Sequence, residues 1–540
     1  MYKFLSLLIL ISSFGLAQDN QKNSAILNPA DIAKMAIAKQ NLYAGNYIGA
    51  LSTYRDVEKS NPNNEGLKYN IGLCYFNLSQ YDKAKESLLG CLQINNKASN
   101  DAHLLIAKIY HLESNLEKAI EELKIFRDAG NLSAETLADV NLHLAQCETA
   151  QVLMTKAWDV NINNMGENIN SKYDDKNPCI TADGASLVFT SRRPENAKAL
   201  VDLEGDGKYF ENIYISHPDS LSHQFIKTTL SPGSLNTAAH DACTSISPDG
   251  KYIYVYKNDV NDKTSRGGNI FLSKSNNGKW RTPESLGKPI NTSYWEGGAC
   301  ISPDGKKIFF TSERPGGQGK SDIWMVEKIN KKEWGKPVNL GTDINSAEDE
   351  GGLFLAPDGK TLFFCSNGPK SMGSYDIFKS VYEYDRWNTP VNVGYPINSV
   401  AKEGQLTLSA DAQVAYFSSD RPGGLGENDL YKVDLKDYAI LEKDGQRKTN
   451  NGLCILRGTI REGFEGYGVS DVEVLLKDEK GYLISSTTTN EIGEYFLTIA
   501  GGKYNLAFKK KGYKEIEEAI NLEANSKQTN IYEKGYLIKK

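Results

Sequence analysis

The sequence predicts a multidomain chain that runs from α to all-β: an α-solenoid, then a β-propeller of five blades, then a small β-sandwich. Three observations predict it. A helical pattern repeats every 34 residues in the first block. A Pro-Asp-Gly-type turn recurs five times in the second, and short strand signals follow a polar linker in the third. The 540 residues also exceed the roughly 250–300 residues at which a single core stops growing.

The helical block spans residues 30–155. Tyr47 and Ala50 return 34 residues later as Tyr81 and Ala84, and Leu116 and Ala119 follow at 35. Ahead of each pair lies a small residue, Ala38, Gly72 or Ala107, where two helices must approach closely. Tyr75 and Tyr110 occupy matching positions, and Pro62 stops the first unit. A further helix over about 134–154 is expected to cap the exposed end of the stack, as solenoids require. These small and aromatic positions resemble the tetratricopeptide repeat, although Asn41 stands where an aromatic is expected. The resemblance implies a concave groove for peptides or proteins. Stacking alone also accounts for every residue named, so a helical spacer is the competing reading.

The second block, 158–436, exchanges helical spacing for strand and turn signals. Its turn aspartates are Asp183, Asp249, Asp304, Asp358 and Asp411, at spacings of 66, 55, 54 and 53 residues. Each follows Pro or Ala, and the first four precede Gly, a composition that favours tight turns. A β-rich run follows each turn, and a second begins at Asn212, Asn269, Asp322, Asp376 and Asp429. A unit of this length fits one four-stranded blade. Five blades are expected, or six if the 66-residue unit holds a divergent one. Between units lie Trp280, Trp334 and Trp387, each leading into an Ile-Asn-Thr/Ser tripeptide starting at Ile290, Ile344 or Ile397. Trp158 and Ile169-Asn170-Ser171 precede the first turn, and the last unit has no such segment after it. The N-terminal strand is therefore expected to close the ring against the last blade and remove an open edge. The turns, with Arg314-Pro-Gly-Gly and Arg421-Pro-Gly-Gly after the next strand, resemble the PD40 (WD40-like, TolB-type) propeller repeat.

Residues 437–452 read as a polar linker, and 453–540 as a module of short strands. Asn490 to Phe496, Gly501 to Tyr504 and Lys511 to Tyr513 resemble the carboxypeptidase regulatory-like domain. That resemblance implies a transthyretin-like β-sandwich of structural or adhesive character.

Residues 1–17 read as a secretory signal: Lys3, an apolar run from Phe4 to Ile11, and small residues Gly15 and Ala17 before a cleavage point. The mature chain is expected outside the cytoplasm, in the periplasm and in association with the outer membrane. A net charge of −6 argues against nucleic-acid binding, which calls for a basic face. The eight cysteines form no C-x-x-C pair, so zinc has no support. They read mostly as buried hydrophobes, with a Cys74–Cys91 bridge left open.

Catalytic signatures are missing. Neither H-E-x-x-H nor G-x-S-x-G occurs, so no catalytic residue, enzyme activity or cofactor is expected. Asp202, Glu204 and Asp206 resemble the first half of a calcium loop. Ile213 stands where the loop's bidentate acid belongs, so a solvated insertion is expected instead. One pattern recurs in all five units: an acid eight residues before each turn aspartate, namely Asp175, Asp241, Glu296, Glu350 and Glu403. Symmetry predicts a carboxylate ring that could attract a cation or basic partner. The competing reading has each acid accept backbone N–H groups or pair with Arg193, Arg314 or Arg421.

The order of modules resembles the PorE family of Bacteroidetes. That likeness implies an envelope scaffold linked to type IX secretion and gliding, with protein partners held by the helical groove and a propeller face. Members of that family also carry a lipidated cysteine and an OmpA-like peptidoglycan-binding domain. Neither is found among these residues, so peptidoglycan binding is not expected here. The alternative function is a glycan-binding, or glycan- or peptide-acting, propeller with a site in its channel. Tyr294, Trp295 and Trp387 are the aromatics that would serve it.

Overall fold

The computed structural model describes residues 28–95, 100–203, 206–222, 224–258, 267–276, 278–330, 333–435, 438–441, 453–462, 466–522, 531–533 and 536–537. The expected signal segment 1–17, Glu204 and most of the linker 437–452 lie outside them. Two compact units meet at Thr155 and Lys156.

The first unit is helical: α1 (Pro29–Tyr43), α2 (Tyr47–Glu58), α3 (Glu65–Asn77), α4 (Tyr81–Ile94), α5 (Asn100–Leu112), α6 (Leu116–Asp128) and α7 (Ala134–Met154). Short polar side chains start several of them by accepting orphan backbone N–H groups. Asn28, Asn46, Asn64 and Ser133 take this role for α1, α2, α3 and α7. The turns inside the three hairpins place Gly45, Ser79 and Ser114 at positive φ, the last two in a conformation that costs a side-chain-bearing residue energy. Each helix packs against the next, and α3 also touches α5. The small residues act as expected. Ala38 and Ala107 are buried, and a Cβ on Gly72 would lie 2.7 Å from the Leu88 side chain.

Among the described residues, the second unit begins with five antiparallel sheets, three of four strands and two of five. Sheet 1 contains Asp175–Ile180, Leu187–Ser191, Asn212–Pro218 and Phe225–Leu230 in that order. Sheet 2 begins with His240–Ile246, sheet 3 with Glu296–Ile301, sheet 4 with Glu350–Leu355 and sheet 5 with Glu403–Leu408. In sheet 5 the outer place is taken by Asn161–Asn164, which pairs antiparallel with Asp429–Asp434. Each first strand lies beside the first strands of the neighbouring sheets, and sheet 5 returns to sheet 1. All five first strands carry a register shift near their start.

The connector tripeptide explains how consecutive sheets are joined. In each, the asparagine side chain behaves like a peptide unit. Its Oδ1 accepts from, and its Nδ2 donates to, one residue of the preceding sheet's third strand. The pairs are Asn236 with Ile213, Asn291 with Ile270, Asn345 with Ile323, Asn398 with Ile377 and Asn170 with Leu430, all at 2.7–3.1 Å. Asn170 precedes sheet 1 yet clamps sheet 5, so the same device that joins neighbours also closes the circuit. Trp158 reinforces the closure: its indole donates to the Val393 carbonyl at 3.1 Å and stacks on Tyr438 at 4.5 Å.

The C-terminal part forms a three-stranded sheet (Glu494–Ala500, Leu453–Thr459, Ile531–Glu533) and a four-stranded sheet (Leu483–Thr488, Glu473–Lys477, Gly502–Lys509, Ile516–Leu522). Arg461–Glu462 and Tyr536–Leu537 add a short parallel pair. Leu456, Tyr495 and Leu497 from the first sheet share a core with Val474, Leu506 and Phe508 from the second.

The clamp predicts a specific cost. Asn398→Ala leaves the Ile377 N–H buried and unpaired, while the Ile377 carbonyl keeps the Val393 N–H, so the strand-rich unit should lose about 2 kcal/mol. Asn398→Asp keeps the acceptor but sets a buried carboxylate oxygen against the Ile377 carbonyl and the Asn392 Oδ1, and should lose at least as much. Urea unfolding of the full chain, followed by tryptophan fluorescence, reads both.

Candidate functional site

The five acids stand at or next to the first position of each inner strand and are at most 2% exposed. Four sequence positions before each acid lies the connector's Ser or Thr. Its backbone N–H and hydroxyl both donate to the carboxylate: Ser171 to Asp175, Thr237 to Asp241, Thr292 to Glu296, Ser346 to Glu350 and Ser399 to Glu403. A serine on the adjacent strand adds a bond to Glu296, Glu350 and Glu403 at 2.8–2.9 Å. The carboxylates thus face into the protein, with their oxygens engaged.

Three acids also meet an arginine. Arg193 binds Asp175 at 2.6 Å, Arg314 binds Glu296 at 3.2 Å and Arg421 binds Glu403 at 3.0 Å. Each guanidinium also donates to the carbonyl of the connector's isoleucine, Ile169, Ile290 or Ile397. Each lies over two aromatic rings, Phe310 and Trp324 for Arg314 and Phe417 and Tyr431 for Arg421, a favourable cation–π placement. In sheet 2 the cation is Lys257, on the strand paired with Asp241.

Sheet 4 breaks the pattern. Gly368 occupies the place of the arginine, two residues after Ser366. Among the described residues no guanidinium is paired with Glu350, and burial pushes its carboxyl up to about 7 against the hydrogen bonds from Ser346 and Ser366. Burial is also the largest influence on Asp175 and Asp241, raising both against the pull of Arg193 and Lys257.

A second row of acids went unread as such in the sequence. Asp322, Asp376 and Asp429 begin third strands and accept backbone N–H groups from the loop before them: Gln318 and Gly319, Met372 and Gly373, Leu425 and Gly426. Their only sequence signal was an aspartate ahead of an aliphatic–aromatic pair.

A buried ionic network joins sheets 1, 2 and 5. Lys176 bridges Asp174 at 2.6 Å and Glu211 at 2.7 Å. His240 contacts Asp202 at 3.1 Å and Glu211 at 3.4 Å. Asn428 donates to Asp174 at 2.7 Å. Although burial opposes ionisation, Lys176 and His240 hold Glu211 well below the ordinary carboxylate range. The suggested calcium-loop acids therefore diverge. Asp202 turns to His240, and Asp206 is bound by Arg192 through both oxygens. Among the described residues, no cluster of three His, Cys, Asp or Glu is arranged to hold a metal ion.

The middle of the circuit is packed. Gln405 of sheet 5 reaches to the Thr244 carbonyl of sheet 2 at 2.9 Å and to Cys179 of sheet 1 at 3.3 Å. The Thr244 hydroxyl donates on to the Ala299 carbonyl of sheet 3 at 3.2 Å. All four residues are buried. A cleft of about 980 Å³ lies instead between the turn side of sheets 1–3 and the C-terminal sheets. Lys251, Tyr252, Trp334, Arg457 and Thr489 line it, and an ion pair from Lys251 to Glu494 crosses it. Of the aromatics singled out for glycans, Trp387 packs edge-on against Phe309 at 5.7 Å, and Trp295 lies tilted beside Tyr256 at 6.4 Å.

In the helical unit, α5 and α7 bring Lys108, Asp139 and His143 together. Asp139 is 3.8 Å from Lys108 and 3.7 Å from His143. Burial and Lys108 push His143 down to about 3, so its ring is neutral at physiological pH. Cys74 and Cys91 are free thiols, both buried, pushed up by desolvation to about 12 and about 11.

The tetratricopeptide repeat family matches residues 66–97, which cover α3 and α4. Over 113 residues the chain is 32% identical to BBSome complex member BBS4 of Bos taurus, a stretch making up 21% of each protein. The Mus musculus BBS4 matches to the same extent. The chain thus spans about a fifth of the length of these curated relatives. Among solved structures, it is similar to the first TPR of Spaghetti (RPAP3) bound to an HSP90 peptide, at 16% identity and a TM-score of 0.21, covering 23% of this chain and 93% of that one. It is also similar to the Yersinia enterocolitica type III secretion translocator chaperone SycD, at 16% identity and a TM-score of 0.23, covering 24% and 90%.

The acids should separate by their cations. Glu296→Gln or Glu403→Gln strands a partly buried arginine and should cost about 2 kcal/mol, whereas Glu350→Gln should be nearly neutral. The folded chain binds the Glu350 proton more tightly than the unfolded chain does. Stability should therefore decline as pH rises from the ordinary glutamate range to about 7. Glu350→Gln should flatten that slope, and urea titrations across this pH window would show it.

Proposed function

We propose that the protein is a non-enzymatic scaffold of the bacterial cell envelope that holds protein partners through its helical repeats. The observation that carries this reading is the tetratricopeptide repeat at 66–97 within a stack of seven helices. Such stacks bury a continuous core through their neighbours and leave an extended face for a peptide or protein.

The five sheets are read as blades of a closed β-propeller, and the C-terminal sheets as a transthyretin-like sandwich. Together they are read as a platform built on a common framework of sheets. The five buried acids serve that platform as internal fastenings. The filled centre favours a scaffold over an enzyme working in a propeller channel. Export is read from the charge and apolar pattern of residues 1–17, and residence beside the outer membrane with a place among type IX secretion or gliding proteins is read from the resemblance to the PorE family. A glycan-binding role would have to use the cleft lined by Tyr252 and Trp334.

Crosslinking of a tagged copy in its native host, followed by mass spectrometry, tests the proposal. Envelope proteins recovered reproducibly, and lost on deletion of residues 30–155, are the expected result. Recovery of the protein alone, or with glycan only, would overturn it.

A further inference from the structure

The inner strands of sheets 1 and 2 bring two cysteines together that lie 64 residues apart in the chain. The Sγ atoms of Cys179 and Cys243 are 3.2 Å from each other. Both side chains are buried, at 2% and 0% exposure. Among the described residues, no other cysteine pair makes a sulfur–sulfur contact. We infer that Cys179 and Cys243 are the two halves of a disulfide that fastens sheet 1 to sheet 2 at the centre of the ring. The inference rests on the proposal that the chain matures outside the cytoplasm, where disulfides persist.

The chemistry is thiol–disulfide exchange. One cysteine, as thiolate, attacks the S–S bond of an oxidant that is itself a disulfide, protein or small molecule. A mixed disulfide forms and one oxidant thiol leaves. The second cysteine then attacks the mixed disulfide and releases the other oxidant thiol. Two S–H bonds and one oxidant S–S bond are lost, and one protein S–S bond is formed. The two protons and two electrons end on the oxidant's pair of thiols.

The structure also dictates when this happens. In the finished ring the pair is enclosed by Val188, Ile213, Val255 and Trp280, out of reach of a bulky oxidant. The burial that encloses Cys243 also raises its thiol well above the ordinary range, which suppresses the attacking thiolate. The bond must therefore form while sheets 1 and 2 assemble, before the sheets around them close. The bond sits where a staple contributes most. This junction follows the longest unit, and its acid is held by Lys257 in place of the stacked arginine found at three other junctions. Gln405 keeps its bond to the Thr244 carbonyl whether or not the sulfurs are joined.

The test uses the purified full chain, unfolded and refolded in a buffer of reduced and oxidised glutathione, so it does not depend on export. Free thiols are then alkylated under denaturing conditions and the protein is digested without reduction. A peptide containing Cys179 joined to one containing Cys243, with the other six cysteines alkylated, is expected. The oxidised protein should melt about 5 °C or more above its reduced form. That difference should vanish in Cys243→Ser, which still refolds to the same circular dichroism spectrum. Alkylation of both cysteines in correctly refolded protein, or linkage of either to a different cysteine, would overturn the inference. Thiol trapping in intact cells of the native host separates the two layers. A bond that forms in glutathione but is absent in the cell would overturn the export reading, while the pairing itself would stand.

Discussion

A connector buried between two sheets must satisfy backbone groups on both sides, and the strand-rich unit depends on how it does so. A three-residue segment solves the problem five times over. Its asparagine replaces a missing strand partner for the sheet behind, and its Ser or Thr donates N–H and O–H to an acid that starts the sheet ahead. Because a buried polar group left unpaired costs more than a made hydrogen bond contributes, losing a member of the chain of contacts is costly wherever it strands its partner. The acid must be ionised or shielded, the Ser or Thr must follow the asparagine, and an aliphatic residue must precede it to fill the space between sheets. The arginine that lies over two aromatic rings in three of the sheets completes the set. It neutralises the acid and ties the connector's own carbonyl.

Ring closure follows from the same constraint. The segment carrying Asn170 and Ser171 lies ahead of sheet 1 in sequence, yet Asn170 is bound to Leu430 of sheet 5. The last sheet therefore lacks an outer strand until the N-terminal segment returns to supply it. The packed centre is the second consequence. Five bulged inner strands converge closely enough that one glutamine touches two other sheets.

Much of this was legible in the sequence. The 34-residue period located the hairpins, and Ala38, Gly72 and Ala107 marked the close approaches because only small residues fit there. The turn aspartates gave the number of sheets, since a Pro-Asp-Gly turn has few other uses between β-rich runs. The role of the acids was legible only as a choice between a carboxylate ring and a fastening to backbone N–H groups or to Arg193, Arg314 or Arg421. Their spacing was plain, but whether a carboxylate faces solvent or backbone depends on a local register shift and on partners 16–18 residues away across a hairpin. The fifth connector was hidden because Leu235 replaces the isoleucine. The pairing of Cys179 with Cys243 has no sequence signature, because it arises only when two non-adjacent strands become neighbours. The parallel pairing of Ile531–Glu533 with Leu453–Thr459 was unreadable for the same reason.

Hydrogen exchange of the full chain, read by mass spectrometry, tests most directly whether the connectors make the five sheets one closed body. The account predicts that residues 158–171 are protected to the same degree as 429–434 and open together with them, since Asn161–Asn164 and Asn170 complete the last sheet. Rapid, independent exchange of 158–171 over a protected sheet 5 would contradict it.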